Sequence, residues 1–304
     1  MSNKNTLKSL MQSFYDAQKL RIQTGNRLVA NIRVRLGQEP GRPTEELNEQ
    51  GKQLLGEALQ QYKRVTDGLS TNRFQEKVKA IAVSDGIMAD VYEYELCRFY
   101  AKHLESEESM GSSIAKMVET FPIWDSFLKG VRGCGPLMAA VCISELDPHK
   151  AKYASSFWKY AGLDVGPDGR GRSKRSEHLI KVTYTTRKGE EAERLSITYN
   201  PFLKTKLMGV LGTSFLRSAS PYRAIYDGYK HRLENHETYK DVSKGHRHNM
   251  SMRYMVKLFL RDLWVAMREV EGLPVYSGYD EAKLGLVHGV DLGLVACGEA
   301  CSLK

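Results

Sequence analysis

The stretch Val131-Arg132-Gly133-Cys134-Gly135-Pro136-Leu137-Met138-Ala139-Ala140-Val141 decides the fold of the second half of the chain. It follows a short amphipathic segment at 121–128 and joins an apolar-x-Gly-x-Gly turn to a run of small apolar residues. Gly133 and Gly135 can adopt positive φ, and Pro136 suits the first turn of a helix. The pattern predicts a helix-hairpin-helix whose backbone N–H groups point at a phosphate from a helix N-terminus. The alternative is an ordinary corner between two packed helices.

Long helices are predicted before this turn, because apolar residues recur there at three- and four-residue spacing. One predicted helix covers 4–36, a second covers 44–66 and a third covers 73–103. Together they predict a helical hairpin or coiled coil over residues 1–112, and the polar, serine-rich segment 105–113 marks its boundary. Such a hairpin exposes an apolar stripe, which predicts a homodimer. A self-contained helical bundle is the alternative.

A compact, mainly α domain is predicted for residues 113–276. Helical patterns dominate it, but residues 178–187 and 194–200 alternate apolar with polar side chains around Lys188-Gly189, which predicts a small β-hairpin. Glycine-rich sequence then predicts a flexible tail over 277–304. The expected fold is therefore mainly α, with a helical hairpin or coiled coil followed by a helical domain that carries the glycine turn and the β-hairpin.

The positive charge of the protein is concentrated in this second half. The 304 residues carry a formal net charge of +9, and 41% of them are hydrophobic, which argues against global disorder and against an acidic chain. Residues 170–188 contain seven basic residues and one acid, and residues 204–261 contain twelve basic residues and four acids. Clustered positive charge is typical of polyanion-binding faces. A solvated face that maintains solubility is the alternative.

The candidate nucleic-acid contacts are the basic residues of these two segments and the glycines of the turn, which would present backbone amides. They are Gly133, Gly135, Arg170, Arg172, Lys174, Arg175, Lys204, Lys206, Lys244, Arg247, Arg253 and Lys257. Tyr184, Tyr199 and His246 are further candidates for stacking on unpaired bases. For the two tyrosines, packing in the core is the alternative, and the sequence favours it.

Several classes of site are not expected in this chain. The five cysteines form no CxxC pair, and no GxxxxGK[ST], HExxH or GxSxG motif occurs, so neither a cofactor nor a metal is predicted. His246 and His248 lie in a basic stretch that would oppose a divalent cation. The longest apolar run, 137–143, is far shorter than the roughly 20 residues of a membrane span, which predicts a cytoplasmic protein without membrane contact.

An ordered series of segments resembles the C-terminal domain of the bridge-RNA-guided DEDD-type transposases. The resemblance covers about half of the chain, in the segments 130–140, 157–163, 170–175, 200–211, 222–232 and 253–260. Those transposases carry an N-terminal RuvC-like nuclease domain, but helices are predicted in its place here. The position that matches their serine nucleophile most closely holds Asp168-Gly169. The resemblance, with these departures, implies that transposase chemistry is lost and that the chain is not an enzyme.

A long helical hairpin followed by a compact basic domain with this turn is similar to the Nop domain of box C/D ribonucleoproteins. It also resembles the Tas proteins of phage-borne TIGR systems. This resemblance implies a homodimer that binds a box C/D-like guide RNA and directs it to double-stranded DNA, with any nuclease supplied by a separate protein. Two other functions remain as alternatives: a diverged transposase or recombinase that uses Ser173, and an architectural DNA-binding protein that needs no RNA.

Overall fold

The computed structural model describes residues 2–35, 48–53, 56, 57, 60, 91–166 and 168–276. The fold is mainly α with one small antiparallel sheet, which confirms the predicted fold class. The predicted helix over 44–66 is described only in part, and the predicted flexible tail lies outside the described residues.

The described elements follow one another as a series of helices interrupted by one pair of strands. They are helices α1 (Ser2–Arg35), α2 (Val91–Val118), α3 (Pro122–Ser126), α4 (Pro136–Glu145) and α5 (Ala154–Tyr160), strands β1 (Ile180–Thr185) and β2 (Glu191–Ser196), and helices α6 (Pro201–Thr205), α7 (Gly212–Arg217), α8 (Pro221–Glu234) and α9 (Lys244–Val270). A π-helical segment, Lys206–Leu211, connects α6 to α7. Proline occupies the first turn of α3, α4, α6 and α8, where its missing N–H costs nothing.

Residues 9–114 form one of two compact units. Within it, α1 and α2 lie antiparallel, because contacts that move up one helix move down the other. Arg21 Nε donates to Glu107 Oε2 at 2.5 Å, and Asn31 Nδ2 donates to Glu93 Oε1 at 2.7 Å. The described parts of α1 and α2 therefore pair antiparallel within this unit.

Helix α2 runs without interruption through 105–113, where the sequence predicts a polar boundary segment. The hydroxyls of Ser106, Ser112 and Ser113 each donate to the carbonyl four residues earlier, at 2.8–3.0 Å. These bonds satisfy the serine side chains inside the helix, so a serine-rich composition does not end it. The two compact units divide after residue 114 rather than after 112.

The second compact unit combines residues 1–8 with residues 115–304. An aromatic cluster forms its centre: the rings of Phe215 and Tyr222 stack at 5.0 Å, and Phe259 meets both edge-on at 5.3 and 5.6 Å. These rings come from α7, α8 and α9. The Tyr222 hydroxyl donates to Asp262 Oδ2 at 2.8 Å, which satisfies the polar end of a ring that is fully buried.

The first residues of α1 pack against the end of α4 in this unit. Lys8 Nζ lies 3.1 Å from Glu145 Oε1, and Asn200 Nδ2 donates to Glu145 Oε2 at 2.7 Å. Lys4 Nζ donates to the Leu146 carbonyl at 2.5 Å. The Glu145 side chain is only 8% exposed, so these partners are what permits its burial.

The glycine turn ahead of α4 has only one glycine in the left-handed region. Gly133 has φ +95°, whereas Gly135 has φ −74° and is the extended N-cap of α4. Of the two glycines that can adopt positive φ, only Gly133 does so in the structure. A Cβ on Gly133 would lie 2.5 Å from Ser218 Oγ, and Ser214 Oγ donates to the Gly133 carbonyl at 2.8 Å. Gly133 thus lets the turn pack against α7.

Strands β1 and β2 form the predicted β-hairpin. They pair antiparallel from Ile180 opposite Ser196 to Thr185 opposite Glu191. Most residues on both faces are exposed, including Ile180, Tyr184 and Leu195 at 42–59%.

Candidate nucleic-acid interface

A cavity of about 1000 Å³ lies between the loop after α5, helices α6, α8 and α9, and the loop between α8 and α9. Its lining residues are Leu163, Val165, Gly169, Arg170, Gly171, Arg175, Lys204, Thr205, Met208, Gly209, Tyr229, Tyr239, His246, Asn249, Met250, Arg253, Tyr254 and Lys257. We call this feature the basic cavity. Five of the predicted contacts meet here, namely Arg170, Arg175, Lys204, Arg253 and Lys257.

One face of α9 supplies the largest share of the lining. His246, Asn249, Met250, Arg253, Tyr254 and Lys257 recur at alternating three- and four-residue spacing, which places them on one side of a helix. The opposite side, including Phe259 and Leu263, is buried in the core. Ser243 begins this helix by accepting a hydrogen bond from the His246 N–H at 3.3 Å. The burial of one side therefore fixes the other side toward the basic cavity.

No aspartate or glutamate belongs to the described residues that line the basic cavity. The nearest carboxylates act on single members of the lining and its surroundings: Asp168 lies 3.5 Å from Arg175, and Asp164 pairs with Arg172 at 2.7 Å. Positive charge is thus concentrated in a concave surface without an equal number of anions, an arrangement that attracts anionic ligands.

Arg253 is the most enclosed cation of the cavity. Its guanidinium packs against the backbone of Gly171, where a Cβ would lie 2.0 Å from Nη1. Nη1 is buried and makes no hydrogen bond to the described residues. Burial lowers the pKa of Arg253 from its usual value, and the Asp164 carboxylate opposes that shift. A buried donor without an acceptor costs free energy, and an anion in the cavity would remove that cost.

Lys204 lies near Arg253 on the wall formed by α6. Its Nζ donates to the Arg172 carbonyl at 2.5 Å and sits 4.6 Å from the centre of the Tyr199 ring. Burial, together with the positive charge of Arg253, lowers the pKa of Lys204 to about 8. Lys204 is therefore charged at neutral pH and loses its charge in mildly basic solution.

The loop that carries Arg170 and Arg175 is held by a buried histidine. His178 Nε2 lies 3.0 Å from Asp168 Oδ1, and Nδ1 accepts a hydrogen bond from the Ser173 N–H at 3.0 Å. The histidine contact is the main reason why the pKa of Asp168 is lowered. Ser173 Oγ is also 3.1 Å from Nδ1. The order Asp-His-Ser is that of a hydrolytic triad, but a backbone N–H already occupies the Nδ1 lone pair, which makes the histidine a clamp for the loop.

Arg247 is a predicted contact whose side chain turns away from solvent. It is 9% exposed, and Nη1 donates to the carbonyls of Tyr239, Lys240 and Val242. These bonds cap the loop between α8 and α9. The structure therefore gives Arg247 a positioning role, because the loop it holds brings Tyr239 to the basic cavity.

The other predicted contacts lie outside the lining of the basic cavity. Arg172 is engaged by Asp164, and Lys206 lies 5.6 Å from the Phe202 ring. Lys174 and Lys244 are exposed, and neither lines the cavity. The two glycines of the turn, Gly133 and Gly135, also lie elsewhere, and the glycines that do line the cavity are Gly169, Gly171 and Gly209.

Of the three candidates for stacking on unpaired bases, one lines the basic cavity and two do not. His246 lines the cavity and is exposed. Tyr199 is 8% exposed, so the packing alternative is confirmed for it. Tyr184 is 42% exposed on β1, where Arg194 lies 5.2 Å from its ring.

Sequence reasoning missed the aromatic and amide residues of the lining. Tyr254, Asn249 and Met250 follow from the helical period of α9 once Arg253 and Lys257 are taken as one face. Tyr229 and Tyr239 carry no such signal, because their positions depend on how α8 and the following loop pack.

A metal site and a membrane span have no counterpart in the described parts of the chain. No group of three or more His, Cys, Asp or Glu residues there could hold a metal ion. The His248 Nδ1 lies 2.7 Å from the Tyr226 hydroxyl, so this imidazole already has a hydrogen-bond partner. No helix among the described residues is both long and apolar enough to cross a bilayer.

Comparison with known proteins yields no relative: no family model, no curated protein and no solved structure matches this chain.

Proposed function

We propose that the protein binds a guide RNA through the basic cavity and directs it to double-stranded DNA without a nuclease of its own. The observation that carries the proposal is the convergence of Arg170, Arg175, Lys204, Arg253 and Lys257 on a cavity whose described lining has no carboxylate. Each cation that neutralises a phosphate releases counterions, so such a surface favours a polyanion.

RNA fits the site better than a duplex whose sequence the protein reads. A helix that reads the major groove exposes its side chains on a convex face, whereas the polar face of α9 lines a concavity. Exposed aromatic and cationic groups in a cavity suit unpaired nucleotides. The division of labour would leave sequence recognition to base pairing between guide and target.

Purification from cells that express the matching guide RNA tests the proposal. The protein should retain RNA of one size class, identified by sequencing, and ribonuclease treatment should remove it. Charge reversal in the cavity by the double variant Arg170→Glu, Arg175→Glu should abolish this retention, whereas Lys129→Glu, which reverses an exposed lysine outside the cavity, should not. Recovery of wild-type protein free of RNA from such cells would refute guide binding.

The same preparation distinguishes a guide-directed protein from an architectural DNA-binding protein. A gel-shift experiment compares a duplex that matches the guide with a scrambled duplex, each with and without the RNA. We expect a shift of the matching duplex in the presence of the RNA. Equal shifts of both duplexes without RNA would instead support the architectural function.

Self-association through the unit of residues 9–114 is part of the proposal. Leu20, Ile22, Val34 and Phe99 are 47–50% exposed there, an amount of apolar surface that favours a homodimer. Light scattering coupled to size exclusion should give twice the chain mass of 34.4 kDa, and the double variant Ile22→Lys, Phe99→Lys should give the single mass. A wild-type monomer at micromolar concentration would exclude the homodimer.

A diverged recombinase is the second candidate, and the contact between Ser173 Oγ and His178 Nδ1 is the observation that favours it. In that case His178 Nδ1 would first release the Ser173 N–H and then take the proton of the Ser173 hydroxyl as that hydroxyl attacks a phosphodiester, and the leaving sugar oxygen would take up a proton from water. Incubation of the RNA complex with matching duplex and Mg²⁺ decides between the two functions. Nicking or strand joining that Ser173→Ala abolishes would establish the recombinase, and intact DNA supports the binder.

A further inference from the structure

A pair of stacked tyrosines forms one wall of the basic cavity. The rings of Tyr229 on α8 and Tyr254 on α9 lie 4.2 Å apart with an angle of 16° between their planes. Both side chains are half-buried. Burial raises the pKa of Tyr229, which keeps its phenol neutral at physiological pH. Neutral aromatic rings accept any base by stacking, because every base has a π-face.

The tyrosine pair lies beside Arg253, the most enclosed cation of the cavity. Tyr254 directly follows Arg253 in α9, and Asn249 lies one turn earlier on the same face. At 1.5 Å per residue, the α-carbons of Asn249 and Arg253 are about 6 Å apart along the helix axis. An exposed amide, a cation and an aromatic ring therefore follow one another within two turns of α9.

The two enclosed cations, Lys204 and Arg253, lie close to each other in the basic cavity. Lys204 Nζ donates to the Arg172 carbonyl and the Arg253 guanidinium packs against Gly171, so both cations contact neighbouring residues of one loop, and the charge of Arg253 contributes to the lowered pKa of Lys204. Two neighbouring cations with few acceptors can share one phosphate between them. The cavity volume of about 1000 Å³ lies at the upper end of the range for small-molecule sites, which is ample for one nucleotide.

From these contacts we infer that the basic cavity holds one unstacked nucleotide of the bound strand, with its phosphate on Arg253 and Lys204 and its base on the ring pair of Tyr229 and Tyr254. The inference rests on the proposed function, because it names the part of the RNA that enters the cavity. Asn249 and His246 are exposed at the cavity and face the edge of that base. The nucleotide must be unpaired, so a bulge, a loop or a strand end supplies it.

A competition experiment against a labelled RNA strand directly measures the binding of one nucleotide in the basic cavity. A fluorescein-labelled single-stranded RNA of about 20 nucleotides is bound to RNA-free, full-length protein, and adenosine 5′-monophosphate or inorganic phosphate is added while fluorescence anisotropy is recorded. Stacking of one base predicts that adenosine monophosphate competes on the order of tenfold more strongly than inorganic phosphate. Adenosine alone separates stacking from phosphate binding.

One variant tests the stacking of the base on the tyrosine pair, and a second tests the binding of the phosphate. Tyr254→Leu removes a ring and should reduce the advantage of adenosine monophosphate over phosphate to less than threefold. Gly171→Ala places a methyl group against the Arg253 guanidinium and should weaken competition by both anions at least fivefold. Gly228→Ala is the matched control, because a Cβ there meets nothing within 4 Å and the residue does not line the cavity. Circular dichroism verifies that each variant is folded.

The outcomes separate this inference from the proposed function. Equal competition by adenosine monophosphate and phosphate, or no competition by either, overturns the inference that the basic cavity holds one nucleotide. If the labelled RNA still binds in that case, the proposed RNA binding is retained and only the nucleotide site in the cavity is rejected. If the labelled RNA does not bind wild-type protein at all, both fail. A tenfold advantage that survives Tyr254→Leu would also overturn the assignment of the base to the tyrosine pair.

Discussion

The basic cavity and the β1–β2 hairpin are both rich in basic residues, but only the cavity concentrates them. On the hairpin, Lys181 lies 3.6 Å from Glu193, and Arg194 lies over the Tyr184 ring. Both faces of the hairpin are open to water, which screens its charges. In the cavity, Arg253 Nη1 is a buried donor that finds no acceptor among the residues that the structure describes. The two regions therefore differ in the partners of their cations: the hairpin cations meet a carboxylate and an aromatic ring, whereas Arg253 keeps a buried donor without an acceptor among the described residues.

The contrast also divides a segment that looks uniform in the sequence. Residues 170–188 contain seven basic residues and one acid, and they predict a single positive surface. In the structure Arg170 and Arg175 line the cavity, Arg172 pairs with Asp164, and Lys181 belongs to the hairpin. A charge count along the chain cannot separate these roles, because each partner is chosen by the fold of the loop.

The largest expected effect comes from removing the two enclosed cations. The double variant Lys204→Ala, Arg253→Ala should weaken binding of single-stranded RNA by about a hundredfold, roughly tenfold for each lost phosphate contact. The slope of log affinity against log salt should fall by about 1.4, because each contact on a single strand contributes about 0.7. Filter binding at four salt concentrations measures both quantities.

The matched hairpin variant Lys181→Ala, Arg194→Ala removes the same number of charges. If it weakens binding as strongly as the cavity variant, the cavity is not the principal RNA site, and the comparison between the two regions fails.

The next effect concerns Arg247, which holds three carbonyls of the loop after α8. Arg247→Met should lower the free energy of unfolding by about 2 kcal/mol, because a buried cation with hydrogen bonds is lost and its acceptors remain. Urea denaturation measures the change. Because Tyr239 then loses its anchor, RNA affinity should fall about threefold while the salt slope stays constant.

A nearby exposed lysine supplies the control for that variant. Lys244→Ala should change the free energy of unfolding by less than about 0.5 kcal/mol. A fall in salt slope for Arg247→Met would show that Arg247 contacts phosphate directly and would refute the positioning role.

A smaller effect is expected from pH. The pKa of Lys204 is lowered to about 8, so raising the pH from 7 to 9 removes this charge in the free protein while RNA phosphodiesters stay ionised. Affinity should fall several-fold over that interval, and binding near pH 8.5 should take up protons, because a bound phosphate favours charged Lys204. Calorimetry in two buffers of different ionisation enthalpy measures this uptake.

Lys204→Arg keeps its charge throughout the interval and should remove most of the dependence on pH. The linkage to stability has the opposite sign: above pH 8 the unfolded chain binds more protons at this side chain, so the free energy of unfolding rises with pH. Affinity that is constant from pH 7 to 9 in the wild-type protein would separate Lys204 from the RNA.

The smallest effect belongs to the hairpin alone. Lys181→Ala removes an exposed ion pair with Glu193, and such pairs contribute little. RNA affinity should change by less than twofold. A larger loss would extend the binding surface to the hairpin and remove the contrast with the cavity.

Periodicity was sufficient to predict much of this fold. The helix over 4–36 and the β-hairpin are set by local patterns of apolar residues, and α1 and the β1–β2 pair agree with them, although β2 begins at Glu191 rather than at 194. The helical path that begins at Pro201 continues to Arg217 through a π-helical segment that no local sequence pattern predicts. Gly212 permits that path, because a Cβ there would lie 2.5 Å from Met252 on α9. Such contacts between distant segments have no local signal.

The candidate site was predictable to a smaller degree. Arg253 and Lys257 follow from the charge of α9 and its period. The burial of Arg247 does not, since it depends on carbonyls of a loop that has no regular pattern. The glycine turn is a similar case: the sequence predicts the conformation of Gly133, but its packing against α7 determines that it supports the fold instead of lining the cavity.

The contact between Lys8 and Glu145 makes the C-terminal unit discontinuous along the chain. Residue 145 leaves the ribosome on the order of ten seconds after residue 8 at usual rates of synthesis, so the start of α1 has no native partner during that time. A fragment that begins at residue 115 would leave the Glu145 carboxylate without its lysine. Excision of this unit at a single point in the sequence is therefore expected to yield a less stable protein than a fusion that keeps the first eight residues.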